Sequence, residues 1–187
     1  VHNRLVYWLT SIIDRNGNTI SITRDATDAW KVLSVTDSAG RQLTFQYDGN
    51  RLISVRDPLY NPSHPAYHRW QFVNDASGYL AQVQMPRVTV GATPQDYSVG
   101  FTNANGRLTT YTDERGKTWT FDYNAAIVGG HDYAAGALGT VTQPSTGGSP
   151  VTWTFAYDWS STSQAVTTVT DPNGRQTVYA YDAMLGW

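Results

Sequence analysis

The sequence predicts an all-β chain: consecutive antiparallel β-hairpins laid side by side as a curved or spiralling single-layer strip. Three observations predict it. A turn signature recurs as Asp14-Arg-Asn-Gly17, Asp37-Ser-Ala-Gly40, Asp113-Glu-Arg-Gly116 and Asp171-Pro-Asn-Gly174, and such recurrence marks a repeat architecture. The segments after these turns alternate with period two and close on an aromatic residue followed by Asp or Asn, at Asp48, Asn124, Asp158 and Asp182. No segment carries a helical stripe. The Ala-rich residues 132–138 are broken by Gly136 and read as loop or one helical turn.

Each element has its own reason. In Asp-x-x-Gly, the Asp carboxylate accepts backbone N–H bonds from two residues on, and the Gly supplies the left-handed conformation that a bulged hairpin turn requires. The strands then place Leu43, Phe45 and Tyr47 on one face, as they do Trp119, Phe121 and Tyr123, Trp153, Phe155 and Tyr157, and Tyr179 with Tyr181. Thr118, Thr120 and Asp122, or Thr152, Thr154 and Ala156, take the opposite face. Side by side, the aromatic sets are expected to form columns across the sheet, each neighbouring pair worth roughly 0.2–1 kcal/mol over alanine. Short strands such as 51–55 and 107–111 lead on to the next Asp. Unit length varies in the loops, at residues 57–69, 86–94, 125–139 and 144–150, where stacked hairpins tolerate insertion.

Composition bounds the function. The chain has 187 residues, with 13 Lys+Arg against 15 Asp+Glu, a net charge of −2 and a pI of about 6.0. Without a dense basic patch, phosphate-backbone binding is excluded as the main task, and no nucleic-acid partner is expected. Charged residues make up 15% and aromatics 13%, a balance typical of β-rich extracellular chains. Cysteine is absent, which removes disulfides, thiol nucleophiles and cysteine metal sites. No apolar run approaches the ~18 residues of a membrane span.

The reactive residues form no convincing constellation. Asp14, Asn16 and Asn18 resemble the start of a calcium loop, but such a loop needs a bidentate acid and the chain's one Glu is Glu114. His64 and His68 have the spacing of two ligands on a helix, which Pro62 and Pro65 forbid. His131-Asp132 could be a base with its orienting acid, yet it follows Gly129-Gly130 and reads as a loop tip. Neither Gly129-Gly130 nor Gly147-Gly148 has the spacing or the Lys of a phosphate loop. No catalytic, cofactor-binding or metal-binding residue is therefore expected, and no cofactor.

Tyr47-Asp48 with Arg51-Leu52 and Asp57-Pro58, Asn103 with Gly106-Arg107-Leu108, Tyr157-Asp158, and Asp171-Pro172-Asn173-Gly174 leading to Tyr181-Asp182 together resemble the Rhs/YD-repeat family. Its members include bacterial polymorphic toxins, the cocoon component of insecticidal Tc toxins, and teneurins. The resemblance covers nearly the whole chain. Asn74-Asp75 and Thr102-Asn103 stand where Tyr-Asp is expected, and Arg51-Leu52 lacks the usual preceding Gly. It implies hairpins that spiral into a hollow shell around a toxic cargo or act as a cell-surface scaffold, and hence a secreted or cell-surface location. Asp57-Pro58 and Asp171-Pro172 resemble the self-cleaving aspartate site of such shells, but lack its Gly-rich sequel and read as turns.

The expected organisation is one repeat array over 1–187: a half-repeat at 1–14, about five hairpins with loop insertions over 14–171, and a half-repeat at 171–187. About a dozen strands at ~4.8 Å make a strip of ~60 Å, a panel of a shell rather than a closed one. Its two open edges are expected to pair with further repeats or with identical copies. In the second case the strand around 177–181 meets the strand around 6–12 of the next copy, and a contact that does not close makes a filament. Tyr60, Tyr67, Tyr79, Tyr133 and Trp159 lie outside the strand columns. They are expected to fold across the apolar face, with residues 58–69 as the main cover; a glycan-binding surface is the other reading.

Overall fold

The computed structural model describes residues 6–123, 136–145, 147–158, 161 and 163–182. The fold is all-β, an open antiparallel sheet with strands in chain order, and no helix occurs among the described residues. The chain divides into two compact units, Val1–Ser98 and Val99–Trp187. In the first, seven strands pair consecutively: β1 (Ser11–Ile13), β2 (Thr19–Arg24), β3 (Val32–Thr36), β4 (Gln42–Asp48), β5 (Arg51–Arg56), β6 (Arg69–Asn74) and β7 (Leu80–Gln84). A separate small hairpin, β8 (Val88–Val90) with β9 (Thr93–Gln95), follows. The second unit pairs β10 (Ser98–Ala104), β11 (Arg107–Thr112), β12 (Thr118–Tyr123), β13 (Leu138–Gln143), β14 (Val151–Asp158), β15 (Gln164–Thr170) and β16 (Gln176–Asp182) in the same consecutive way.

Neither unit has a conventional core. Ala165, 7% exposed, is the one buried hydrophobic residue among the described residues. A single layer leaves both faces open, so its apolar side chains gain only partial burial from cross-strand neighbours.

Those neighbours differ from the expected aromatic columns. Because strand order follows chain order, a short β-branched strand lies between aromatic ones. Val55 stands between Phe45 and Trp70, and Val141 between Phe121 and Trp153. Among the described residues only Phe101, Tyr111 and Trp119 form an uninterrupted aromatic run, with ring centroids 5.7 and 5.3 Å apart. The opposite face of the second unit is a threonine ladder: Thr102, Thr110, Thr120, Thr142 and Thr152 are successive cross-strand partners. Hydroxyl pairs link Thr102 with Thr110 at 2.6 Å and Thr142 with Thr152 at 3.1 Å.

Alternate hairpins, β14–β15 excepted, end in a bulge. Gln46 pairs with Ser54 and Tyr47 with Leu52, so Ile53 has no partner across the ladder. The same shift skips Leu33, Ala81, Thr109 and Gly139. A bulge disrupts the ladder locally and frees backbone groups beside it. Three tyrosines answer that need. Tyr47 Oη donates to the Val32 carbonyl at 3.1 Å, Tyr123 Oη to Leu108 at 2.8 Å and Tyr157 Oη to Leu138 at 3.0 Å. Each carbonyl belongs to the residue just before the skipped one in the preceding bulged hairpin. The aromatic residue before Asp or Asn thus joins one hairpin to the one before it.

Removing that hydroxyl leaves a half-buried carbonyl short of a partner. Tyr123→Phe is expected to cost about 1–2 kcal/mol, read as a lower midpoint of thermal unfolding. Tyr179→Phe, at a side chain 48% exposed on β16, is expected to stay within about 0.5 kcal/mol of the unaltered chain.

Candidate functional site

The Asp boxes close as their chemistry demands. In each, the Asp N–H donates to the carbonyl four residues on, at 3.0 Å for Asp14 and Asp37 and 2.8 Å for Asp113 and Asp171. The fourth residue's N–H returns to the Asp carbonyl, with φ at +84° in Gly17, +79° in Gly40 and Gly174 and +74° in Gly116. One carboxylate oxygen accepts two backbone N–H bonds, from Asn16 and Asn18 at Asp14 (2.7 and 2.9 Å) and from Asn173 and Arg175 at Asp171 (2.8 Å each). The calcium reading of Asp14, Asn16 and Asn18 gives way to this turn, in which Asp14 Oδ2 takes the Asn18 side-chain amide at 2.8 Å.

A fifth box lies at Asp75-Ala-Ser-Gly78. Asp75 N–H donates to Tyr79 O, Gly78 N–H to Asp75 O, and Gly78 sits at φ +88°. Asn74-Asp75, expected as a departure from Tyr-Asp, is therefore a turn of the Asp-x-x-Gly kind. The pattern stood in the sequence.

Residues 57–68 are a sixth box, expanded. Asp57 N–H donates to the His68 carbonyl at 3.0 Å, and Asp57 Oδ2 meets His68 Nδ1 at 2.8 Å. His68, at φ +59°, occupies the place of Asn18 or Arg41, whose side chains bind Oδ2 of their own box Asp. It is thus a turn-closing residue. His64 lies in the same loop and its N–H donates to the Asn61 carbonyl. No group of three metal-ligating side chains occurs among the described residues. His131-Asp132, Gly129-Gly130, Tyr133 and Trp159 lie outside the described residues.

Charge follows hydrogen bonding. The Asn18 side chain and N–H hold Asp14 below the usual carboxylate value, and Arg41 does the same for Asp37. At Asp113, burial pushes upward, but the Lys117 N–H and the Arg115 side chain prevail and the net direction is down. Asp25, which closes the loop into β3, is lowered to about 2 by the Thr27 hydroxyl and the N–H groups of Asp28 and Thr27.

Neighbouring hairpins also lock by shape. A Cβ on Gly78 would collide with the guanidinium of Arg51, and one on Gly136 with that of Arg107. The Gly two residues before the strand leucine therefore admits the Arg of the preceding bulged hairpin. Arg107 lies 5.5 Å from the Tyr123 ring centroid.

The two insertions of the first unit build a cavity of about 340 Å³ on the polar side of β6 and β7. Its floor is Arg69, Gln71, Gln82 and Gln84; Ala66, Arg87, Asp96 and Tyr97 close over it. Arg87 and Asp96 form a two-bond ion pair at 2.6 and 2.5 Å at the base of β8–β9, and Arg87 N–H donates to Ala66 O at 2.8 Å. Tyr60 packs under Arg56, whose guanidinium is 4.3 Å from the ring centroid. The expected cover of the apolar face is thus corrected: Tyr60 and Ala66 lie with Arg56, Arg69 and Gln71, the polar set. These cavity residues were missed by sequence reasoning. The signal available was the polar alternation of Arg69-Trp-Gln71 and Gln82-Val-Gln84, flanked on both sides by insertions.

A sheet of consecutive hairpins, sealed hairpin to hairpin by tyrosine, arginine and glycine, defines a structural β-repeat protein. The family model of the RHS Repeat matches residues 103–126 and 161–186. Both stretches span a bulged or boxed turn described above, and at these two places the chain is similar to the Rhs/YD repeats, which supports that recognition. No curated protein matches the chain.

Two predictions follow the geometry. The folded pKa of Asp14, Asp25, Asp37 and Asp113 lies below the ordinary 3.8, so their stabilisation is complete above that value and is lost as pH falls through the folded pKa. Thermal midpoints should hold level with respect to these groups above about pH 5 and drop between about pH 4 and 2; Asp25→Asn should shrink the drop. Gly78→Ala should destabilise slightly more than Gly40→Ala, by the cost of moving the Arg51 guanidinium aside, since both have positive φ but nothing lies within 4 Å of a Cβ at Gly40. Arg51→Ala placed in the Gly78→Ala chain should recover the difference in a denaturant titration.

Proposed function

We propose that this chain is a non-catalytic stretch of wall in a larger Rhs/YD shell or scaffold that works outside the cell or at its surface. The observation that carries the reading is the form of the stabilisation. Three hairpins draw a tyrosine hydrogen bond from the hairpin before them, and the described residues bury almost no core. Such a unit gains by adding further units at its edges, as solenoid repeats do. Rhs repeat proteins are generally extracellular or cell-surface, which agrees with a chain rich in aromatic residues and poor in charge. The partners of this reading are further YD repeats and an enclosed cargo.

One observation favours a second reading, head-to-tail assembly of identical chains into a filament. Ile12 and Ile13 on β1 are 50% and 66% exposed, and Val178 on β16 is 61% exposed. Terminal strands of an open sheet that expose apolar side chains recruit other strands.

Electron microscopy with light scattering over a tenfold concentration range separates the two. The wall reading expects the mass of one chain, 20.7 kDa, at every concentration. Regular filaments that Val178→Lys abolishes would replace it with the second reading.

A further inference from the structure

We propose that the cavity over β6 and β7 is a binding site for an acidic saccharide, with a sugar carboxylate on Arg69 and hydroxyls on Gln71, Gln82 and Gln84. The inference goes beyond the wall reading and does not depend on it.

The charge balance of the site comes first. Arg87 is neutralised by Asp96 through two hydrogen bonds, and Asp57 is engaged by His68. Among the described residues Arg69 has no carboxylate partner; its Nη2 donates to the Gln71 side chain at 2.8 Å. Directly across the ladder from Arg69 stands Arg56, a second cation. Among the described residues Arg56 also has no carboxylate, and its Nε is buried with no hydrogen-bond partner there. Like charges placed opposite one another in a sheet are destabilising. The chain nonetheless holds these two together beside a cavity. An anionic group bound at Arg69 would relieve that repulsion and complete a fork-shaped donor that matches a carboxylate.

The rest of the wall selects the remainder of the ligand. Three glutamine amides each offer donors and an acceptor, the pairing that a vicinal hydroxyl array requires. They are already held in a network, since Gln84 Nε2 donates to Gln82 Oε1 at 3.0 Å and Gln82 Nε2 to Ser98 Oγ at 3.1 Å. Tyr97 and Met85 add the limited apolar surface of a sugar-ring face. A volume of about 340 Å³ falls at the small end of ligand sites. Only one net positive group, Arg69, lines the cavity, which suits a singly charged, hydroxyl-rich ligand better than a phosphate chain.

Isothermal titration of the whole chain with a galacturonic acid tetrasaccharide, an N-acetylneuraminic acid oligosaccharide, a neutral galactose oligosaccharide and a short oligoglutamate peptide tests the proposal. At least one acidic saccharide is expected to bind, with the neutral sugar weaker by tenfold or more. Arg69→Gln should weaken that binding at least tenfold, and Gln82→Ala severalfold, while Arg175→Gln on the β15–β16 turn leaves it unchanged. Arg69→Lys, which keeps the charge but not the fork, guards against loss of folding, and should fall between the unaltered chain and Arg69→Gln. Absence of binding to both acidic saccharides overturns the proposal. So does equal binding of the neutral sugar, binding of oligoglutamate alone, or affinity unmoved by Arg69→Gln.

Discussion

The structure depends on a single hydrogen bond, repeated: a tyrosine hydroxyl donating to the carbonyl beside the previous hairpin's bulge. A bulge re-aims the strand and steepens its twist, at the cost of a backbone group without its ladder partner. In a layered protein that group could be covered by a second sheet or a helix. Here one layer must do everything, and the partner comes from the next hairpin along. That requirement explains why the closing aromatic is a tyrosine at Tyr47, Tyr123 and Tyr157 and not a phenylalanine. Phenylalanine is confined to positions two residues earlier, at Phe45, Phe121 and Phe155, where only packing is needed.

The two kinds of turn divide the work. Asp boxes are self-contained, their carboxylates satisfied by their own N–H groups, so they tolerate expansion. The loop from Asp57 to His68 keeps the closing bonds of a four-residue turn around a much longer excursion. Bulged turns are not self-contained, and depend on the arginine, glycine and tyrosine of adjoining hairpins. The cavity over β6 and β7 takes Ala66 from the expanded Asp57 box and Arg87, Asp96 and Tyr97 from the segment around β8 and β9.

Much of the fold was legible in the sequence because it is written in local chemistry. Asp-x-x-Gly names a turn by itself, and Trp119, Phe121 and Tyr123 name a face by period two. What lay across the ladder was not legible. Alternation says which face a side chain takes but not which strand is its neighbour, so valines between aromatic strands replaced the expected aromatic columns. Asn74-Asp75 was read by its resemblance to Tyr-Asp, although Gly78 three residues on marked it as a box. The role of His68 required the closure of an eleven-residue span that no local pattern encodes. The cavity was hidden for the same reason: Arg69, Gln71, Gln82 and Gln84 are unremarkable polar-face residues until the insertions close above them.

The claim that hairpins are held by one another, and not each by itself, is tested most directly by residue-resolved hydrogen exchange under native conditions. If it holds, amides of the β3–β4, β11–β12 and β13–β14 ladders, which join successive hairpins, exchange as slowly as those of β4–β5 and β12–β13 within them. Fast exchange in the joining ladders with protection retained inside each bulged hairpin would contradict it, and would make the chain a string of independent hairpins.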